Sequence, residues 1–291
     1  MNGRCWKQIR ALCRSKKRLR FSLVFLALAI LTCYAAPQLG GDPNAIDVSN
    51  AFQGISFAHL LGTDELGRDC FLRTLYGGRV SMGIGIVAML ASTGIGVILG
   101  MCSGYMGGVL DAIMMGAVEV LASVPWMLMV IAVQMLFKRG LTALLLIIVL
   151  LGWGETARLV RNQTRAMRDL EYVEYARLCG VPAVAILLRH VLSACAPTVL
   201  VSAGAQAARA ILMESTLSFL NLGIQPPGTS WGSLLQGAQK YLMKAPLQAI
   251  VPGLLIVATV YSINELANAF SFVADPRNTE ESHAEKRNPS R

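Results

Sequence analysis

The stretch EYVEYARLCGVPAVAILLRH, residues 171–190, lies between two long apolar runs and carries charge, a glycine and a proline. Tyr172, Tyr175, Ala176 and Cys179 recur at i, i+3, i+4 and i+7, which predicts a short helix with one apolar face. Asp169 fits the N-cap of that helix, and Gly180 the left-handed residue that ends it. Pro182 fits the first turn of a second helix, along which Val181, Val184, Ala185 and Leu188 share a face. Glu174, Arg177 and Arg189 fall on the margins. The pattern predicts a helical hairpin and leaves two placements open. It lies flat on a membrane surface, or it inserts into a groove on a partner protein.

The flanking runs set the context. The chain is 54% hydrophobic and 15% charged, against about 25% charged in an ordinary soluble domain. That places it among polytopic membrane proteins. Six windows near 21–37, 80–104, 112–137, 141–157, 192–213 and 246–270 are apolar and long enough to cross a bilayer. Backbone groups in lipid must bond internally, so all six are expected to be helices. The fold class is therefore an all-α polytopic membrane protein with membrane lipid around it. The net charge of +9 needs no nucleic acid, because the basic residues gather in loops. Eighteen of the 26 lie before the first span, between spans four and five, and after span six. Seven lie in the opposite loops. The positive-inside rule puts both termini and the 158–190 loop in the cytoplasm. A cleaved signal peptide is the rival reading of the start, but the basic region before Phe21 is long for a signal. Cleavage would leave five spans in the same orientation. The seven cysteines form no CxxC pair or Cys/His cluster, so neither a disulfide framework nor a metal site is expected.

Ser92, Gly96, Gly100 and Gly104 form a small-residue stripe that allows close helix approach. The Gly94, Gly96, Gly100 string follows no strand, so packing explains it better than nucleotide binding. Span three contains Glu119 and Pro125. A proline there kinks the helix, and an unpaired carboxylate near a span centre costs about 2.5–3.5 kcal/mol. Arg209, Glu214 and Glu265 complete the intramembrane charges. Arg209 and Glu214 are five residues apart, a poor spacing for a pair on one helix, so each is expected to find a partner on another helix. Glu119, Pro125, Arg209 and Glu214 are the candidates for a translocation path or a subunit contact. The 214–245 loop, with Pro226, Pro227, Trp231 and Gly232, reads as a plug, a docking surface or a plain re-entrant connector. The chain contains no G-x-x-x-x-G-K-[ST] run and no recognisable catalytic constellation around His59, His190 or His283. An enzyme is not expected.

Several motifs then align with one family. The run Glu174-Tyr175-Ala176-Arg177-Leu178-Cys179-Gly180, followed by Arg189-His190-Val191-Leu192, resembles the EAA loop of ABC importer permeases. Tyr175 stands at that pattern's second position, and Ser193 at its final proline. His59 to Asp69, HLLGTDELGRD, is similar to the signature of the dipeptide, oligopeptide and nickel importers. So are Gly152-Trp153 with Ala157-Arg158-Leu159-Val160-Arg161, and Leu217 to Pro227 with Ser230-Trp231-Gly232. Asp275-Pro276-Arg277 resembles the family's usual ending. The resemblance is to the second, C-type, permease subunit.

It implies a type I importer fold with cytoplasmic EAA coupling helices, in a bacterial inner membrane. The expected organisation is a segment at 1–79, a permease domain at 80–275 with its coupling loop at 158–190, and a polar tail at 276–291. A second permease subunit would complete a heterodimer, and an extracytoplasmic binding protein would deliver substrate. Two partner ATPases would carry ATP and Mg, with no cofactor in this chain. Glu174, Tyr175, Ala176, Arg177 and Gly180 are the implied ATPase-coupling residues. Peptides are the implied substrates, with nickel or a metal chelate as the alternative. A secondary transporter working without ATP is the remote alternative. Such transporters are built from repeats, and this chain shows none.

Overall fold

A computed structural model describes residues 17–137 and 140–274. The basic start, the polar tail and the Asp275-Pro276-Arg277 ending lie outside the described residues. Helix α1 (Lys17–Ala35) turns outward Phe21, Val24, Leu28 and Leu31 and buries Leu19, Ser22, Ala29 and Cys33. That is the distribution expected of a helix with lipid on one side and protein on the other.

Helix α2 (Cys70–Met106) starts where Asp69 accepts the backbone N–H of Leu72 at 2.9 Å and ends at Gly107, whose φ is 65°. Its 37 residues extend about 55 Å, far beyond the 80–104 window. The expected boundary at 79/80 falls inside this helix. Helix α3 (Gly108–Ser123) stops at Val124, and α4 (Trp126–Leu136) leaves at 95° to it. The span expected at 112–137 is thus two half-helices rather than one kinked helix. Pro125 lacks an N–H and forces Val124 into extended backbone, which ends α3 outright.

Helix α5 (Leu141–Arg168) continues well past its apolar window, carrying Arg158, Arg161 and Arg165 beyond the hydrophobic stretch. The hairpin follows as α6 (Glu171–Leu178) and α7 (Ala183–Ile186). A wide turn at Leu187–Val191 leads into α8 (Leu192–Phe219). Short α9 (Trp231–Ala238) and long α10 (Leu247–Ala274) complete the described chain. Among the described residues, five helices are long and apolar enough to cross a membrane, and the bent α3–α4 pair makes a sixth when taken together.

Helix α2 is the central post, packed against α5 and α8, while α10 bridges α8 and α1. The small-residue stripe makes the α2–α5 contact. A Cβ on Gly96 would lie 2.7 Å from the Trp153 carbonyl oxygen, and one on Gly100 or Gly104 would lie 2.6 Å from the Ala157 or Arg161 oxygen. Among the described cysteines, Cys33, Cys70 and Cys195 are buried and Cys179 is exposed; all are free thiols.

Candidate functional site

The hairpin at 171–190 forms as the spacing predicts, with two changes in its caps. Leu170, not Asp169, is the N-cap of α6, and no side chain caps it. Asp169 instead closes α5, where its carboxylate pairs with Arg168 Nε at 3.1 Å. At the other end Gly180 has a φ of 78°. Its N–H donates to the Arg177 carbonyl at 3.0 Å, and the Val181 N–H reaches back to Ala176 at 3.1 Å. These two bonds are the Schellman closure that a left-handed residue permits. Pro182 stands one position earlier than expected, as the N-cap of α7, and its carbonyl accepts from Ala185 and Ile186.

Three buried residues, Val173, Ile186 and Val191, anchor the hairpin to the bundle. Five other apolar residues point away: Tyr175 is 71% and Leu178 81% exposed, with Tyr172, Val184 and Leu188 also outward. Glu174 is exposed and forms no ion pair among the described residues. Arg177 lies over the Tyr105 ring at 5.5 Å, a cation–π contact that ties α6 to the end of α2. Glu174, Tyr175, Ala176, Arg177 and Gly180 therefore share one projecting element.

At the opposite end, the LGTDELGRD residues build a compact knob. Asp64 accepts the backbone N–H groups of Leu66 and Arg68 at 2.9 and 3.0 Å and pairs with Arg68 Nε at 2.7 Å. Gly62 and Gly67 both have positive φ, and a Cβ on Gly67 would lie 1.7 Å from the Asp47 carbonyl oxygen. Asp69 caps α2 and also meets His59 Nδ1 at 2.8 Å. Gln248 Nε2 donates to the Thr63 carbonyl at 3.0 Å, fastening the knob to α10. Trp231 does not lie at an interface. It is fully buried, its indole N–H donates to Thr74 O at 3.0 Å, and Gly78 leaves room for its ring.

The ionisable side chains within the spans differ in their settings. Glu214 is fully enclosed by its own chain. Ser81 and Ser218 each donate to it at 2.8 Å, and Ser81 Oγ also accepts the Trp231 backbone N–H at 3.1 Å. Arg209 pairs across helices with Glu155 of α5, so its expected partner on another helix exists; the sequence alone did not single out Glu155. Asp111 of α3 binds Arg161 of α5 at 2.6 Å and also accepts from Ser103 of α2. The fifty-residue separation of Asp111 and Arg161 left no local signal. Glu119 is exposed on α3. Pro125 caps α4 and lines a cavity of about 560 Å³ together with Ser123, Trp126, Glu155 and Arg158.

The match to known proteins spans this architecture. Residues 96–280 fit the family described as binding-protein-dependent transport system inner membrane component. The chain belongs to this family. The permease is 36% identical to the oligopeptide transport system permease protein OppC of Haemophilus influenzae, over 88% of this chain and 83% of that one. It is 35% identical to the glutathione transport system permease protein GsiD of Pectobacterium atrosepticum, over 88% and 85%. It is 37% identical to the dipeptide transport system permease protein DppC of Bacillus subtilis, over 75% and 69%. The permease is thus a multi-pass, all-helical membrane component of an ABC importer, related to the C-type subunits.

Proposed function

We propose that this permease is one half of a heterodimeric pore that admits short peptides through the bacterial cytoplasmic membrane, driven by ATP hydrolysed on two partner subunits. The observation that carries the reading is the hairpin: a rigidly closed turn at Gly180 holding Tyr175 and Leu178 outward. Exposed aromatic and aliphatic residues on a short helix suit insertion into a protein groove. Glu174 supplies a carboxylate for charge-assisted bonds with the ATPase, flanked by Tyr175, Ala176 and Arg177. Both termini and the hairpin lie on the cytoplasmic side, in keeping with the excess of Lys and Arg there. The sequence has no phosphate-cradling P-loop, so ATP and Mg belong to the partners. The peptide reading draws on the oligopeptide, dipeptide and glutathione permeases among the relatives.

In the mechanism, an extracytoplasmic binding protein presents peptide at the knob end. Nucleotide binding draws the ATPases together, the hairpins move with them, and the pore changes its open side. Two sites are then coupled through rigid elements that have two arrangements. Glu119, Pro125 and Arg209 face the path or the second permease subunit. Glu214, closed in by its serines, holds α8 to α2. The test is reconstitution. Uptake of labelled peptide into proteoliposomes should require ATP, both permeases, the ATPases and the binding protein. Full-speed flux through this chain alone, without nucleotide, would sink the proposal.

A further inference from the structure

The enclosed Glu214 and the open Glu155–Arg209 pair are all ionisable side chains inside the spans, yet their surroundings differ. Glu214 has no exposed surface. The Glu155 and Arg209 side chains each stay 51% exposed although they touch. Glu155 sits about 21 Å along α5 from Leu141, and Arg209 about 15 Å from the Phe219 end of α8, at the usual helical rise. Both positions are far from those helix ends. Acyl chains offer no hydrogen bonds, and charges within spans face water or protein. The open side of this pair therefore faces water or a second subunit rather than lipid.

A cavity lies beside it, lined mostly by apolar residues, with Ser123, Glu155 and Arg158 as the polar ones. The cavity next to Glu155 has a volume of about 560 Å³, within the range of about 300–1,000 Å³ that holds small ligands. Arg158, one turn from Glu155 on α5, lines the same cavity and has no ion-pair partner among the described residues. The α3–α4 break at Val124 and Pro125 lines it too. Non-helical backbone at membrane depth is tolerated where it is buried in protein or lines a water-filled cavity. A charged rim and an interrupted helix thus converge on one space.

Resting on the peptide reading above, we infer that Glu155, Arg158 and Arg209 form a charge-matching station for the two termini of a passing peptide. Glu155 receives the α-ammonium group, while Arg209 and Arg158 receive the carboxylate. Between substrates, Glu155 and Arg209 satisfy each other. A zwitterionic peptide replaces each partner with a group of the same sign, so no charge is left unpaired during passage. The resting pair also competes with the peptide, which keeps the station weak enough to release it.

The test is ATP-driven uptake by the assembled transporter in proteoliposomes. The binding protein is preloaded with one tripeptide carrying free termini, an acetylated N-terminus or an amidated C-terminus. Dividing variant uptake by wild-type uptake of the same peptide cancels the binding protein's own preference. Glu155→Gln should cut uptake of the free tripeptide about tenfold, and of the acetylated one less than about twofold, because only the free amine loses a charge-assisted bond. Arg209→Met should discriminate in the same way between the free and amidated forms. Equal losses for all three peptides would overturn the station and leave the pair a structural tie. A wild-type transporter that moves none of the tripeptides would overturn the peptide reading, and the station with it. A second measurement guards against misassembly of these variants. Ser123→Cys, with the charged residues intact, should react with a membrane-impermeant thiol reagent at that site. Free tripeptide should shield it during turnover, and absence of reaction or of shielding would count against the station.

Discussion

Arg161 holds Asp111 with two prongs: Nε donates to Oδ1 at 2.6 Å, and Nη2 donates to Oδ2. Ser103 donates to the same carboxylate, so one acidic side chain joins α2, α3 and α5. A forked contact of this kind is stronger and more directional than a single ion pair. Asp111→Ala is expected to lower the melting temperature of the purified permease by about 3–6 °C, as loss of a partly buried charged contact does in a chain of this size. Arg161→Lys keeps the charge but loses the fork, and should fall between wild type and Asp111→Ala. Thermal melts followed by tryptophan fluorescence would check both.

The α2–α5 seam gives a sharper contrast. A Cβ on Gly100 would come within 2.6 Å of a backbone oxygen, whereas one on Gly94, on the same helix, would meet nothing within 4 Å. Gly100→Leu should abolish folded yield, because the obstruction is backbone and cannot swing aside. Gly94→Leu should be recovered in near-normal amount. Size-exclusion profiles of the two variants would decide, and equal behaviour would refute the packing account.

At Gly180 there is space, since no atom lies within 4 Å of a built Cβ; the obstacle is its φ of +78°. Gly180→Ala should cost about 1 kcal/mol locally, while Gly180→Asn should be milder, since asparagine enters the left-handed region more readily. The strain falls on the turn that orients α6. ATPase recovery in pull-downs should therefore drop in the order glycine, asparagine, alanine, with total permease unchanged. Gly180→Arg should recover none.

The knob end has its own sensitive position. Gly67 combines a left-handed backbone with a built Cβ 1.7 Å from the Asp47 carbonyl oxygen. Gly67→Ala should therefore unlatch the 47–67 contact and make the 40–68 segment cleavable by added protease in the purified permease. Gly54→Ala, where a Cβ meets nothing within 4 Å, should leave it resistant.

The sequence made the helical hairpin legible because its signals are local. Tyr172 to Cys179 carry the period, and Gly180 and Pro182 punctuate it. The glycine stripe was readable for the same reason, since four small residues at one spacing define a face. The pairs were not readable. Asp111 and Glu155 find their partners fifty or more residues away, and a lone carboxylate near a span looks the same whether it meets lipid headgroups or an arginine. Asp169 shows the limit of cap reading. Its residue type suits an N-cap, but its backbone belongs to the end of α5, and its carboxylate turns back to Arg168. Pro125 announced a disturbance, but not a right-angled break. The angle depends on what α4 packs against, and Val130 of α4 is fully buried in a cluster with Leu144 and Ile147 of α5.

The bare contact at Gly96, Gly100 and Gly104 reaches beyond stability. Along this seam α2 contributes no side chains, and only the short, branched Thr156, Val160 and Thr164 reach it from α5, so little is left that could reshuffle. The two helices cannot slide by a fraction of a turn without collision, so they travel together as one stiff beam. Any change of shape would then be left to the pieces around it, such as the break at Pro125, with the closed turn at Gly180 carried along as a unit.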